Sequence, residues 1–483
     1  MRTANWFTLI ALLLVVCACK NKPTQKKETL NGTWESVGSG WILEIKDSTS
    51  YQFYDITSIS CVPIRKGSFK ELQKSLTLEN DTLNLLTGVI TNKFTRSKTL
   101  PQLCVETKTE KNKNPLYNFE VFAETVKEHY AFFELNKIKW NQLYKQQKGK
   151  LTEKSTDVEL YQVIEETLEL LKDNHAFLEA TDKVNTELEK QSNKEQKEKT
   201  DIENLREIGD FEVAGIVAKH HLQEDLTRDY KLKFPLIQWG KMNDDVGYIQ
   251  VKSMWLFANL DVPKKRIDEV GYVDAFVETF HQMYDGEYIT EEVKEVKKIM
   301  DMVMKDLSGM KSIIIDVRFN GGGQDAVGFE ILSRFIPKGK LQIATQKLRY
   351  GNQFTPILPL YIDGKTNAFT KPVYILTSKQ TSSAAEALSI ATMAMQNVKR
   401  IGSATSGAMS TALEKKLPNG WSFAISNEIY MDNNGKSYEN IGVPIDYNLD
   451  YSNERQTFFR SVVNDLEADK QNILKAISKL EEK

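Results

Sequence analysis

The sequence predicts an α/β protein whose core is preceded by a helical unit and a small β domain. Three patterns carry that prediction. Residues 312–317 (SIIIDV) and 372–377 (PVYILT) are continuous apolar runs, which suit strands buried on both faces of a sheet. Phe119, Phe122, Val126, Tyr130 and Phe133 recur at helical spacing, as do Leu160, Val163, Ile164, Leu168 and Leu171. Between Leu30 and Cys104, short apolar or alternating runs at 41–45, 51–54 and 76–86 are separated by polar breaks, the pattern of a small β domain.

Taken in order, the chain opens with Arg2 and an apolar run over 6–16, which has signal-peptide proportions and is short for a membrane span. Val16-Cys17-Ala18-Cys19 resembles a bacterial lipobox, implying cleavage before Cys19 and a diacyl anchor on its sulfur; a plain secretory signal is the alternative. The expected organisation is a signal over 1–19, a tether over 20–29, the small β domain over 30–110 and the helical unit over 116–180. A charged insertion follows over 181–240, then the core over 241–452 and a terminal helix over 453–483. This places the protein in a bacterial envelope, on the membrane through Cys19. Cys61 and Cys104 are then the cysteines left in an oxidising compartment, either paired or as two buried thiols. Their spacing fits no zinc pattern. A net charge of −2 over 483 residues gives no reason to expect a nucleic-acid partner.

Within the core, the apolar pattern predicts a strand at 246–251, an amphipathic helix at 290–307 and a strand at 312–317. A glycine-rich turn, a helix at 325–335 and the strand at 372–377 follow. Residues 417–431 read as a hairpin turning at Asn419-Gly420, and 457–483 as one helix. Residues 181–207 are too charged to bury a core and read as a solvated helix or mobile insertion.

The chemistry gathers where the strand 372–377 meets the stretch KQTSSAAEALS. A serine between a strand and a helix lies where free backbone N–H groups and the helix dipole favour negative charge. Such a corner can hold a nucleophile and stabilise an oxyanion. Ser383-x-x-Glu386 fits a helix capping box equally well. The segment Asn320-Gly321-Gly322-Gly323 follows the neighbouring strand, and its glycines permit positive φ and close backbone approach. An N–H from Gly322 or Gly323, with that of Ala384, would make an oxyanion hole, supported by Asn320. A phosphate cradle is the alternative, but the lysine of a P-loop is missing.

IIIDVRFNGGG, TSSAAEAL, IGSATSGA and ENIGVPID occur in that order, after a helical unit ending in LKDNHAFL. Together they resemble the C-terminal-processing and tricorn-core serine peptidases, over about residues 118–451. The resemblance implies a crotonase-like ββα superhelix for the core, a peptide or protein substrate, and no metal or organic cofactor. It makes Ser383, and not Ser382, the nucleophile. In the C-terminal-processing branch the base is a lysine in the loop after the next strand. Here Ala408 takes that place and Lys415 and Lys416 lie beyond the loop. The tricorn-like branch uses a histidine from the helical portion. Of His129, His175, His220, His221 and His281, only His175 matches. Its ordinary pKa of about 6.5 suits a general base. Glu439 matches the acid that orients the site. Asn174 stands where the tetrad's serine is expected and can still donate and accept hydrogen bonds. No PDZ domain is recognisable in 176–245. Two rival readings are a non-cutting peptide or lipophilic-ligand binder on the same fold, and an acyl-thioester enzyme of crotonase type.

Overall fold

The strands predicted at 246–251, 312–317 and 372–377 form the middle of one sheet. The structure, a computed structural model, describes residues 29–106, 110–196, 206–229, 232 and 234–482. The expected signal segment, the tether up to residue 28 and Cys19 lie outside the described residues. The sheet runs Tyr447–Asn448, Val398–Gly402, Val373–Thr377, Ser312–Asp316, Val246–Val251, Ile237–Lys241, Glu224–Asp225. Its first five strands are parallel and the last two antiparallel.

Side chains alternate across a strand, and here each face meets a helical layer. Ile249, Ile313, Ile315, Val373 and Ile375 pack with the helices Asp285–Leu307, Asp325–Ser333 and Ala384–Ala391. Tyr248, Ile314, Tyr374 and Leu376 pack with Ala218 and with Ile473, Ala476 and Ile477, from the helices Asp210–His221 and Leu466–Glu481. With both faces covered, the three central strands are buried at every residue, which is why apolar side chains dominate their sequences.

This architecture overturns the expected crotonase-like ββα superhelix. A superhelix needs strands of a second sheet in each turn. The connections from Val246–Val251 to Ser312–Asp316 and from Val373–Thr377 to Val398–Gly402 carry no extended strand, only helical elements and loops. The sheet is open, and the remaining core strands form separate small sheets. Lys340–Tyr350 pairs with Leu358–Asp363 on one side and Glu428–Met431 on the other.

Two finer expectations also change. The hairpin around Asn419-Gly420 joins Ala412–Lys416 to Ser422–Ser426, and Glu428–Met431 leaves for the other sheet. The terminal helix is broken into Arg455–Asn464 and Leu466–Glu481, because Asp465 turns its side chain into an N-cap that accepts from the Ala468 N–H.

Residues 32–97 form a seven-stranded antiparallel sheet with its own core around Trp34, Leu43, Phe53 and Phe94. It docks on the rest of the chain through Lys415, whose buried ammonium donates to Asp55 and to the carbonyls of Ser39 and Gly40. Cys61 and Cys104 are joined by a disulfide. The helices Pro115–His129, Trp140–Lys148 and Asp157–Leu171 pack beside the core. Thr156 and Glu159 cap the last of these reciprocally, and Lys172 ends it in the left-handed conformation at φ 56°. The chain then enters the strand Phe177–Glu179, which pairs with Ser422–Ser426 and so fixes the end of the helical unit to the core.

Candidate active site

The elbow after Val373–Thr377 is stitched to the neighbouring strand end. Ser378 Oγ donates to the Arg318 carbonyl at 2.5 Å, and Thr381 Oγ1 to the Val317 carbonyl at 2.9 Å. The Ser382 N–H donates to the Asn320 carbonyl at 3.1 Å. These bonds force Ser383 to φ 53°, ψ −124°, a conformation that costs a non-glycine residue about 1–3 kcal/mol. The Ser383 side chain accepts no capping hydrogen bond, although its residue opens the helix Ala384–Ala391.

The capping-box alternative therefore falls. Glu386, its supposed second member, stays close to the Ser383 backbone and grips the loop opposite. It accepts from Thr405 Oγ1 at 2.5 Å, the Gly407 N–H at 2.6 Å and the Ala408 N–H at 2.7 Å. The Ala408 carbonyl in turn accepts the Ser383 N–H at 3.0 Å. Burial raises the Glu386 pKa, while these donors pull it down.

The glycine segment lies directly against the serine. A Cβ on Gly322, which sits at φ 113°, would come within 2.6 Å of the Ser383 Cβ; one on Gly323 would come within 2.5 Å of the Met254 backbone. Asn320, fully buried, donates to the Val251 carbonyl at 3.1 Å and accepts the Gly322 N–H at 2.8 Å. Gly322 is thus already engaged. Among the described residues, the N–H groups of Gly323 and Ala384 have no hydrogen-bond partner, and the second belongs to the first turn of a helix, where no intrahelical acceptor exists. Two unpaired donors thus neighbour the serine: Ala384 follows it in sequence, and Gly323 follows the Gly322 that packs on its Cβ.

His175 approaches from the helical unit. Asp173 positions it: its carboxylate accepts the His175 N–H at 2.9 Å and holds the Ser426 N–H and Oγ, each at 2.6 Å. The ring is less constrained. Its Nδ1 is buried without a partner, and among the described residues no hydrogen bond joins the ring to Ser383 or Glu439. Burial lowers the imidazole pKa below 6.5, against the opposing charge of Asp173. Asn174 is exposed.

Glu439 is 5% exposed and accepts from the Met409 N–H at 2.9 Å and the Ser410 N–H at 3.3 Å. Burial pushes its pKa up to about 7, reinforced by the charges of Glu386 and Asp173. Residues 408–410 therefore carry the elbow on one side and this acid on the other. Next to the acid, Asn440 donates to Asn136 at 2.7 Å, and Asn136 donates to Tyr130 Oη and the Leu171 carbonyl at the end of the helical unit.

The lysines are engaged elsewhere. Lys415 is the strut to the N-terminal sheet, and Lys379 donates to the carbonyls of Thr405 and Ser406. Among the described residues, no group of three or more His, Cys, Asp or Glu is placed to hold a metal, and no helix is long and apolar enough to cross a membrane.

Sequence reasoning missed the parts played by Asp173 and Glu386. The first had a signal: an Asp side chain that bonds the N–H two residues on is a recognised turn former. The second had none, because its partners lie about twenty residues downstream.

Residues 245–449 match the model of peptidase family S41. Similar solved structures include a putative peptidase from Parabacteroides merdae, at 18% identity over 74% of this chain and 98% of that one, with a TM-score of 0.49. Mature CPAF is similar at 10% identity over 77% of this chain and 98% of its own, with a TM-score of 0.50. The tricorn protease matches at 14% identity over 91% of this chain and 46% of its own, with a TM-score of 0.37. At 10% identity and a TM-score of 0.50, the likeness to mature CPAF is one of fold.

Proposed function

We propose that this protein is a serine peptidase that hydrolyses peptide bonds through an acyl-enzyme. The observation that carries the reading is the uncapped Ser383 at positive φ, with unpaired N–H groups on the following Ala384 and on Gly323, next to the Gly322 that packs on the serine. The family match over 245–449 supports it. Ser383 Oγ attacks the peptide carbonyl carbon while His175 takes its proton. The carbonyl oxygen becomes an oxyanion between the two donors, a term worth about 3–4 kcal/mol per donor where it has been measured. The imidazolium returns its proton to the leaving amine as the C–N bond breaks. Water, deprotonated by the same ring, then cleaves the ester and frees the acid. Glu439 orients the ring, and its ionised form is the effective one. Asn174 borders the site in the place of the tetrad's serine. In this reading a lipid on Cys19 holds the enzyme to a bacterial envelope membrane.

A second reading, a peptide or lipophilic-ligand binder that does not cut, is favoured by Asn174 where the tetrad's serine would stand and by the unbound His175 ring. A fluorophosphonate probe separates the two. Labelling of the folded wild type that disappears in Ser383→Ala supports the peptidase; an unlabelled, folded wild type supports the binder.

A further inference from the structure

Beside the unpaired Gly323 N–H, the chain buries more acceptor atoms than its own donors satisfy. Asp325, two residues on, is half-buried at the first position of the helix Asp325–Ser333. On the strand Glu428–Met431, Glu428 and Tyr430 share one face by their spacing of two. Gln346 lies opposite Tyr430 in the paired strand. Glu428, Tyr430 and Gln346 are each 1% exposed. Each buries a polar atom with no partner: Glu428 Oε1, Tyr430 Oη and Gln346 Oε1. The charge of Asp325 reaches both Glu428 and the Tyr430 hydroxyl.

An unsatisfied buried polar atom costs about 1–3 kcal/mol, so three in one place burden the fold with no gain in packing. The helix dipole accounts for an acid at Asp325 but not for Glu428, Tyr430 or Gln346. Among the described residues no cation pairs with either acid: burial pushes Asp325 up to about 7, and burial pushes Glu428 up to about 7 with the Asp325 charge adding to it, against hydrogen bonds from Thr411. Main-chain bonds link the group to the serine elbow. The Glu428 N–H donates to Ser410 Oγ at 3.2 Å, and the segment that carries Ser410 also carries the Ala408 carbonyl on the Ser383 N–H.

We propose that Asp325, Glu428, Tyr430 and Gln346 form a subsite that receives a lysine or arginine side chain of the peptide next to the scissile bond. An ammonium or guanidinium brings donors and positive charge, which two carboxylates and a carboxamide oxygen lack; the phenol oxygen of Tyr430 can accept as well while its own O–H donates. In this assignment the less buried Asp325 meets the side chain first, and Glu428 and Tyr430 lie deeper. The assignment deepens the peptidase reading and rests on it for the position of the peptide.

The test is a titration of the purified full chain with p-aminobenzamidine, a fluorescent aryl cation, alongside fluorophosphonate labelling of Ser383. Saturable binding to the wild type is expected, weakened at least tenfold in both Asp325→Asn and Glu428→Gln. Peptides with lysine or arginine before the cut should show at least tenfold higher kcat/KM than the norleucine analogue. Asp325, the less buried of the two acids, serves as the second variant should Glu428→Gln fail to fold. No amidine binding by the wild type, or equal binding by Asp325→Asn, overturns the subsite even if Ser383 is labelled. Amidine binding that depends on both acids without labelling of Ser383 overturns the peptidase reading and leaves the subsite standing.

Discussion

The serine side and the histidine side of the site are built differently. Around Ser383, almost every polar group is tied: Glu386 takes three donors, Asn320 bridges a strand end to the glycine segment, and Ser378 and Thr381 anchor the turn. Around His175, the main chain is tied through Asp173 but the ring is not. Strained backbone persists only where the surroundings over-determine it, and the elbow meets that condition. The histidine ring needs only to reach the hydroxyl when substrate is present, and hydrogen bonds in unliganded sites often tighten only in the complex. Under the proposed function, the serine elbow and its two free N–H groups are in place before substrate binds, whereas the His175 ring is brought to the hydroxyl only in the complex.

The largest effect that sharpens this contrast belongs to the elbow. Ser383→Gly should abolish hydrolysis, by at least about 10³-fold. It should also raise stability by roughly 1 kcal/mol, because glycine accepts φ 53° without strain; a denaturant titration checks the gain. His175→Ala should cost about 10²–10⁴-fold in kcat/KM and leave the melting temperature nearly unchanged, since no ring hydrogen bond is lost. A large loss of stability would break the contrast. Glu386→Ala should destabilise the fold by about 3 kcal/mol, as three buried donors lose their acceptor.

The smallest expected effect concerns Glu439, which joins the two sides. Its folded pKa of about 7 lies above its ordinary 4.5, so the native state holds the proton more tightly than the unfolded chain. The stability this gives is full below about pH 4.5 and is lost as pH rises through 7. Between pH 5.5 and 8.5, the wild type should lose about 2 kcal/mol through this group, at about 1.4 kcal/mol per unit. Melting curves of Glu439→Gln should fall less over that window. If the ionised acid orients His175, kcat/KM of the wild type rises through pH 7, and the variant loses that limb.

Local rules reach some of this architecture and not the rest. The runs 312–317 and 372–377 are readable as buried strands because every side chain meets a helical layer. Their connections are not readable, and the superhelix expected from resemblance failed there: a buried strand looks the same whether a helix or a second sheet follows it. Ser383-x-x-Glu386 satisfies two local descriptions, a cap and a loop clamp, and only contacts to Thr405, Gly407 and Ala408 decide between them. Glu428 reads as one residue of a hairpin strand. Its place beside Asp325 depends on pairing with Lys340–Tyr350, about eighty residues earlier. Asp465 was legible as a helix cap from its acidic successors Glu467 and Asp469, yet it lay within an unbroken apolar period.

The most direct measurement is the rate at which a fluorophosphonate labels Ser383 at pH 8, in the wild type and in His175→Ala. The account predicts stoichiometric labelling of Ser383 in the wild type and a rate at least about 100-fold lower without the imidazole. Equal rates in the two proteins would contradict it, because the hydroxyl would then react without the base assigned to it.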